Sequence, residues 1–143
     1  MDKKKRIEQA LKKIQAFRQQ EGFRVLIIPT SDPHLSEYLS EHWKLRAYFS
    51  GFTGSAGTLL LQEQPYLWTD SRYWAQAERQ LQDTGIVLKR SGYGENVWDA
   101  VGKEAQAGDK IAVDPRMIAY NTYKRLEAAL QEKGAYLVTL KNP

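Results

Sequence analysis

Residues 49–69, FSGFTGSAGTLLLQEQPYLWT, contain the pattern that decides the fold. The stretch begins with glycines spaced three apart, which are Gly51, Gly54 and Gly57. A phosphate-binding loop would need a helix after the glycines, because a helix N-terminus supplies free N–H groups and a favourable dipole. Here an apolar run of strand length follows, then Pro65 and a second apolar run, so the pattern predicts a β-hairpin over 57–69. It favours structural glycines in a tight turn over a nucleotide site.

The composition is that of one globular domain of 143 residues, 42% of them hydrophobic. The chain has no cysteine, which excludes a disulfide framework and a thiolate metal site. No stretch approaches the ~20 apolar residues of a membrane helix or resembles a secretory signal, so a cytoplasmic protein is predicted. The net charge is +4, but the basic excess is concentrated in the first six residues. Neither nucleic acid nor a membrane is therefore predicted as a partner.

Apolar runs of strand length alternate with helical periodicity along the chain. The predicted strands are 25–28, 58–61, 66–68, 86–88, 111–113 and 136–138. The predicted helices are 3–20, capped by Asp2 and ended by Gly22, and three that open at Asp70 or Ser71, at Asn96 and at Asn121. This alternation requires a mainly parallel sheet, and the hairpin makes one strand antiparallel. The predicted class is α/β, with a mixed, mainly parallel sheet of about six strands and helices on both faces.

A polar stretch after the first strand holds the densest set of potential metal ligands, which are Asp32, His34, Glu37, Glu41 and His42. The two histidines lack the i, i+4 spacing that places two ligands on one helix face, so the pattern does not favour a metal site. Two interpretations remain open. The stretch is either a plain polar loop or a loop that presents Asp32 and His34 to a ligand.

A second candidate is LWTDSRYW, residues 67–74, where a strand ends and a helix begins. Asp70 is placed to cap the helix. Arg72 falls in the first helical turn, where the helix dipole disfavours a cation, so helix stability gives no reason for it. Arg72 would have a role if it bound a carboxylate or carbonyl of a substrate or partner. The alternative is a solvated surface arginine.

Other catalytic arrangements find little support in the sequence. No local motif combines a serine or cysteine nucleophile with histidine and aspartate. Asp70, Asp109 and Asp114 all lie near predicted strand ends, but aspartates there usually cap helices or form turns, so a nuclease-like metal centre is not favoured. The sequence therefore predicts no catalytic residue and no metal ligand in this chain.

Three segments, SDPHLSEY, SGFTGSAGTLLL and WTDSRYW, together resemble the N-terminal domain of Xaa-Pro aminopeptidases of the creatinase and prolidase superfamily. The resemblance covers essentially the whole chain, since the later β-α-β segments with IAVDP also fit. Ser71 departs from it, because many members carry glycine there. The resemblance implies a ribonuclease-H-like domain over 1–143 and a separate C-terminal metallopeptidase domain outside this chain.

In such enzymes the C-terminal domain binds two divalent ions, usually manganese, which activate a water to attack the peptide bond before proline. The resemblance thus implies that this chain alone is inactive and holds no cofactor. Its implied partners are proline-containing peptides, its own catalytic domain and further copies in a homo-oligomer. Arg72 is implied to face the active-site cleft with Asp32 and His34 nearby. The alternative is a catalytically silent protein-binding module of the pseudo-peptidase type.

Overall fold

A six-stranded β-sheet organises the chain in the computed structural model, which describes residues 3–29, 49–52, 57–91 and 96–140. Its strands are β1 (Val25–Pro29), β2 (Thr58–Leu61), β3 (Tyr66–Thr69), β4 (Val87–Arg90), β5 (Lys110–Val113) and β6 (Tyr136–Thr139). They lie in the order β4-β3-β2-β1-β5-β6. β2 is antiparallel to both of its neighbours, and the other three pairs of strands are parallel. The predicted mixed sheet with one antiparallel strand is confirmed.

The α-helices of the described residues are α1 (Lys3–Glu21), α2 (Trp74–Gln80), α3 (Val97–Glu104) and α4 (Tyr120–Lys133). Two single turns of 3-10 helix, Ser71–Tyr73 and Pro115–Met117, follow β3 and β5. The predicted helix after β3 therefore begins as a 3-10 turn. In the described part of the chain, no helix is long and apolar enough to cross a membrane.

The helix ends that the structure describes follow the predicted signals with one exception, and Asp2, the predicted cap of α1, lies outside the described residues. Asn96 caps α3, because its side-chain oxygen accepts hydrogen bonds from the N–H groups of Trp98 and Asp99 at 2.8 and 3.3 Å. Gly134 ends α4 in the left-handed conformation, with φ of 76°. The prediction that Asn121 opens α4 is wrong. The extended Ala119 is the N-cap and makes no side-chain cap, so Asn121 already lies inside the first turn.

Both faces of the sheet are buried, which explains why β1 and β2 are continuous apolar runs. Alternate residues of β2 enter different cores: Leu59 and Leu61 pack in one cluster, and Leu60 packs in the other. The first cluster includes Ala77 of α2, with partly buried side chains of α1 packed against it. The second includes Val101 of α3 and two leucines of α4. All four residues of β2 are buried, so this strand joins the two cores.

The strand directions bring five strand ends to one edge of the sheet. β1, β3, β4, β5 and β6 all run the same way, and β2 runs against them. We call the edge where these five strands end, and where β2 begins, the carboxyl edge. Functional residues of α/β sheets are commonly placed at such an edge, because the loops there converge.

Residues 49–52 form a buried segment between the first and second helices. Ser50 and Phe52 are fully buried, and Gly51 has φ of 79°, which L-residues with a side chain rarely adopt. A Cβ added at Gly51 would lie 2.7 Å from Cδ1 of Ile7 in α1. The prediction that at least one of the three glycines adopts positive φ is thus met by Gly51. Gly54 lies outside the described residues.

We expect Gly51→Ala to lower the free energy of unfolding by about 1 kcal/mol or more, because the left-handed conformation disfavours a Cβ. Gly85→Ala is a matched control, since Gly85 has φ of 80° but nothing within 4 Å of an added Cβ. The Gly51 variant should be the less stable of the two in urea denaturation, because the buried Ile7 must also move. Equal stability of the two variants would contradict a close-contact role for Gly51.

Candidate functional site

Asp70 follows β3 at the carboxyl edge and caps the 3-10 turn after it. Its backbone is extended, and its Oδ1 accepts a hydrogen bond from the N–H of Arg72 at 3.0 Å. The capping role predicted for Asp70 is therefore present in the structure. Because Thr69 is buried within β3, the capping carboxylate is fixed directly to the sheet.

The side chain of Arg72 turns back onto the same carboxylate. Nε donates to Oδ1 of Asp70 at 3.0 Å, and Nη2 donates to Oδ2 at 2.8 Å. The two groups form a side-on bidentate pair, the geometry in which guanidinium and carboxylate match best. The sequence argument found no local reason for Arg72, and this is corrected, because the carboxylate two residues earlier binds its guanidinium. The pair orients the guanidinium.

The electrostatics of the pair follow from this geometry. The hydrogen bond from the Arg72 side chain lowers the pKa of Asp70 below its usual value, against a smaller opposing effect of desolvation. The same hydrogen bond raises the pKa of Arg72, so both groups are charged at neutral pH. The Arg72 side chain is 70% exposed. Its end-on N–H groups, on Nη1 and the outer side of Nη2, meet no acceptor among the described residues and can bind a further carboxylate or carbonyl.

Aromatic side chains connect the turn that carries the pair to the sheet. Arg72 lies 5.2 Å from the ring centre of Tyr73, and that ring makes an edge contact with the buried Phe52. The indole N–H of Trp74 donates to the carbonyl of Thr69 at 2.9 Å. These contacts connect the turn to β3 and to segment 49–52, so its position depends on the hydrophobic core.

Sequence reasoning missed the contribution of β4 to this site. The hydroxyl of Ser91 donates to the carbonyl of Thr69 at 3.0 Å, and Arg90 lies 5.6 Å from the ring centre of Trp74. Arg90 also pairs with Glu78 of α2. The pairing of β3 with β4 brings these residues together, and no local sequence motif predicts that pairing.

The other predicted residues divide into two groups. Asp32 and His34, with Glu37, Glu41 and His42, lie outside the described residues, so their placement stays a prediction. The three strand-end aspartates do not converge. Asp109 precedes β5, at the edge opposite Asp70 and Asp114, where it accepts from the Gln106 N–H at 2.9 Å and lies 3.3 Å from Nε of Arg24. The carboxylate metal centre weighed from the sequence is thus excluded for this trio, because strand direction separates its members.

No group of three or more histidine or acidic side chains in the described ranges could hold a metal ion. Two cavities of about 270 and 480 Å³ lie near the opposite edge of the sheet, where β1 and β3 begin. They share four lining residues, which are Arg24, Gln62, Tyr66 and Glu104. Neither is lined by Asp70 or Arg72. These two cavities therefore do not belong to the Asp70–Arg72 site.

Comparison with known proteins defines the class of this domain. The model of the creatinase/prolidase N-terminal domain family matches residues 10–142, and the chain belongs to that family. Its relatives include Xaa-Pro aminopeptidase ApepP of Drosophila melanogaster, 37% identical over 123 residues, and Xaa-Pro aminopeptidase 2 of Homo sapiens, 38% identical over 130 residues. These alignments cover 84% and 87% of the chain. The resemblance to Xaa-Pro aminopeptidases predicted from the sequence is confirmed.

Solved structures support the same assignment. The X-prolyl aminopeptidase of Caenorhabditis elegans, a cytosolic enzyme with a di-nuclear active site, matches 99% of the chain with a TM-score of 0.72 and 25% identity. The chain covers 24% of that structure and 20% and 19% of the fly and human relatives. An aminopeptidase P structure from Streptococcus thermophilus has the same fold, with a TM-score of 0.68 and 20% identity. The chain spans about a fifth of the length of the curated relatives it matches.

We expect Arg72→Ala to raise the pKa of Asp70, because the side-chain hydrogen bond is the largest cause of its depression. A carboxyl group whose pKa is lower in the folded state than in the unfolded state stabilises the folded state at pH values above the unfolded-state pKa. This stabilisation is lost as the pH falls through the folded-state pKa. The Asp70–Arg72 contribution should thus be present at neutral pH and disappear in acid. Carbon-13 NMR titration of the Asp70 carboxyl in both proteins measures the change, and identical titration curves would contradict the pairing.

Proposed function

We propose that this chain is the N-terminal domain of a metal-dependent Xaa-Pro aminopeptidase, which removes the N-terminal residue that precedes proline. The fly and human relatives are Xaa-Pro aminopeptidases, which supports the proposed reaction. Their alignments cover most of this chain, which supports the proposed domain assignment. In this proposal the domain borders the active-site cleft and is not itself catalytic. The comparisons do not favour the alternative of a silent protein-binding module, because the similar proteins named above are aminopeptidases.

The oriented guanidinium of Arg72 is the observation that carries the cleft assignment. Its side-on face binds Asp70, and its exposed end-on face projects from the carboxyl edge. A guanidinium held in this way can bind a peptide carbonyl, a C-terminal carboxylate or a side chain of the catalytic domain with little loss of conformational entropy. In the proposed enzyme Arg72 therefore positions peptide at the border of the cleft. Asp32 and His34 follow β1 in the sequence and are proposed to contribute to the same border.

Peptide-bond cleavage is assigned to a separate domain. Two divalent ions, proposed to be manganese, would supply an activated water there. The described residues of this chain offer no matching ligand set, so no step of bond cleavage is assigned to them. The proposed partners are proline-containing peptides, the catalytic domain and further copies of the chain, and the proposed location is the cytoplasm. Nucleic acid and membranes are not proposed as partners.

In the full-length enzyme, Arg72→Ala should lower kcat/KM for an Xaa-Pro peptide on the order of tenfold or more, because a charge-assisted hydrogen bond at the cleft is lost. Arg125→Ala is the matched control. Arg125 is a 67% exposed arginine that pairs with Asp99, and its helix α4 packs on the face of the sheet opposite α2. Its removal should leave kcat/KM unchanged.

Asp70→Ala separates orientation from charge in the same assay. It should cost about 1 kcal/mol of capping energy and lower kcat/KM while Arg72 remains present, because the guanidinium is no longer held.

The thermal midpoint of the isolated chain should barely change in Arg72→Ala, since an exposed ion pair contributes little to stability. Unchanged kcat/KM in Arg72→Ala, measured well below KM, would leave Arg72 as an ordinary surface charge.

The isolated 143-residue chain should fold, hydrolyse no Xaa-Pro peptide and show no manganese-dependent rise in its melting temperature. A ligand that binds only the native state must raise that temperature, and the proposed ion ligands belong to another domain. Differential scanning fluorimetry with and without manganese, together with a peptide-cleavage assay, tests this. A shift of several degrees or measurable turnover would show that the chain itself holds a metal site.

A further inference from the structure

Arg18, near the end of α1, is a buried arginine that the proposed function leaves unused. The residue is only 7% exposed. Its Nε donates to Oε1 of Gln15 at 2.5 Å, and its Nη1 donates to the carbonyls of Phe23 and Arg24 at 2.9 and 3.3 Å. All three acceptors are neutral oxygens. The two N–H groups of Nη2 meet no acceptor among the residues that the structure describes.

The three neutral contacts of Arg18 hold the guanidinium in place but do not balance its charge. Gln15 is itself fixed, because its Nε2 donates to the carbonyl of Gln62 in the hairpin turn at 2.8 Å. Burial lowers the pKa of Arg18, and the charge of Glu63 opposes this effect without a hydrogen bond. A buried cation with no bound anion destabilises a fold. A structural clamp between α1 and β1 therefore explains Nε and Nη1, and it leaves Nη2 unexplained.

The cavity of about 480 Å³ at the edge where β1 and β3 begin is lined by Arg18. Charged side chains of both signs line it together, since Arg24, Glu63 and Glu104 are also part of its wall. Arg24 is held there by Asp109, which lies 3.3 Å from its Nε. The turns and the helix end that carry these side chains all lie within the described ranges.

The smaller cavity, of about 270 Å³, adjoins the larger one, because both are lined by Arg24 and Glu104. It adds an apolar wall, which consists of Val25, Leu60, Trp68, Ala100 and Val101. An apolar wall with a few converging polar groups is the usual composition of a small-molecule site. The two cavities together thus offer two guanidinium groups, carboxylates and an apolar recess.

We propose that these adjoining cavities bind a small zwitterion, namely an α-amino acid or a dipeptide with an apolar side chain. The carboxylate of this ligand accepts from Nη2 of Arg18, with Arg24 beside it. Its ammonium group faces Glu104, and its apolar side chain enters the recess beside Trp68. The site lies at the edge of the sheet opposite the Asp70–Arg72 pair, so it does not rest on the proposed function.

The charges of the cavity favour a zwitterion over a phosphate-bearing ligand. A phosphate group carries close to two negative charges at neutral pH and would face the carboxylates of Glu63 and Glu104 across the same cavity. A single carboxylate balances Arg18 without adding this repulsion. An ammonium group on the same ligand converts the nearby carboxylates from repelling groups into binding groups.

Proton–nitrogen NMR titration of the 143-residue chain tests the site with L-leucine, L-phenylalanine and glycyl-L-leucine as probes. At least one probe should produce a saturable shift of the Arg18 Nε–H signal, with a Kd of about 1 mM or lower. N-acetyl-L-leucine lacks the ammonium group, and L-leucine amide lacks the carboxylate. Each should bind on the order of tenfold more weakly than L-leucine, because a charge-assisted hydrogen bond is lost.

Variants assign the two ends of the ligand to their side chains. Glu104→Gln should weaken binding of the zwitterions on the order of tenfold and leave N-acetyl-L-leucine unaffected. Glu132→Gln is the matched control, because Glu132 is an exposed glutamate on α4 that lines neither cavity. Arg18→Lys keeps the positive charge but loses Nη2, so it should weaken all carboxylate probes. Far-UV circular dichroism establishes which variants are folded, and Glu104→Gln carries the test if Arg18→Lys is not.

The absence of a saturable shift with all three zwitterions would overturn the proposal and leave Arg18 as a structural clamp alone. Inorganic phosphate or N-acetyl-L-leucine binding as tightly as L-leucine would also overturn it, since the site would then recognise only an anion. Undiminished zwitterion binding by folded Glu104→Gln would do the same. These measurements involve no peptide cleavage, so their outcome and that of Arg72→Ala in the full-length enzyme are independent.

Discussion

The reversal of β2 in the middle of the sheet is the constraint on which the rest of the structure depends. β2 joins β3 through a short hairpin and pairs antiparallel with both β1 and β3. Because β2 is antiparallel to both neighbours, β1 and β3 run in the same direction. They end at the same edge of the sheet, with only β2 between them. Leucine side chains on both of its faces enter the two cores, so a solvated or displaced β2 would expose both. The position of Asp70 and Arg72 therefore depends on hydrophobic burial in the centre of the sheet.

The parts of this fold that were predictable are those recorded in local sequence. Strand-length apolar runs, helical periodicity and the Asn96 cap each depend on a few neighbouring residues, and the elements they predict are present. Strand order is different, because it depends on pairing between distant segments. Ser91 and Arg90 join the site only because β4 pairs with β3. The separation of Asp109 from Asp70 likewise depends on strand direction, which a residue's nearness to a strand end does not reveal.

Arg72 shows how a local argument can identify the right residue for an incomplete reason. The dipole argument treats the segment after β3 as an α-helix and finds a cation at the unfavourable end. The structure has a single 3-10 turn there, and Asp70 neutralises the guanidinium. The local pair with Asp70 thus accounts for the orientation of the side-on face of Arg72. It does not account for the exposed end-on face, and the functional proposal rests on that face alone.

The charged β4 edge of the sheet lies beside the Asp70–Arg72 site. Arg90 protects the β4 edge and also lies over Trp74, which is hydrogen-bonded to the end of β3. A strand added at β4 would displace a residue that supports the Asp70–Arg72 pair.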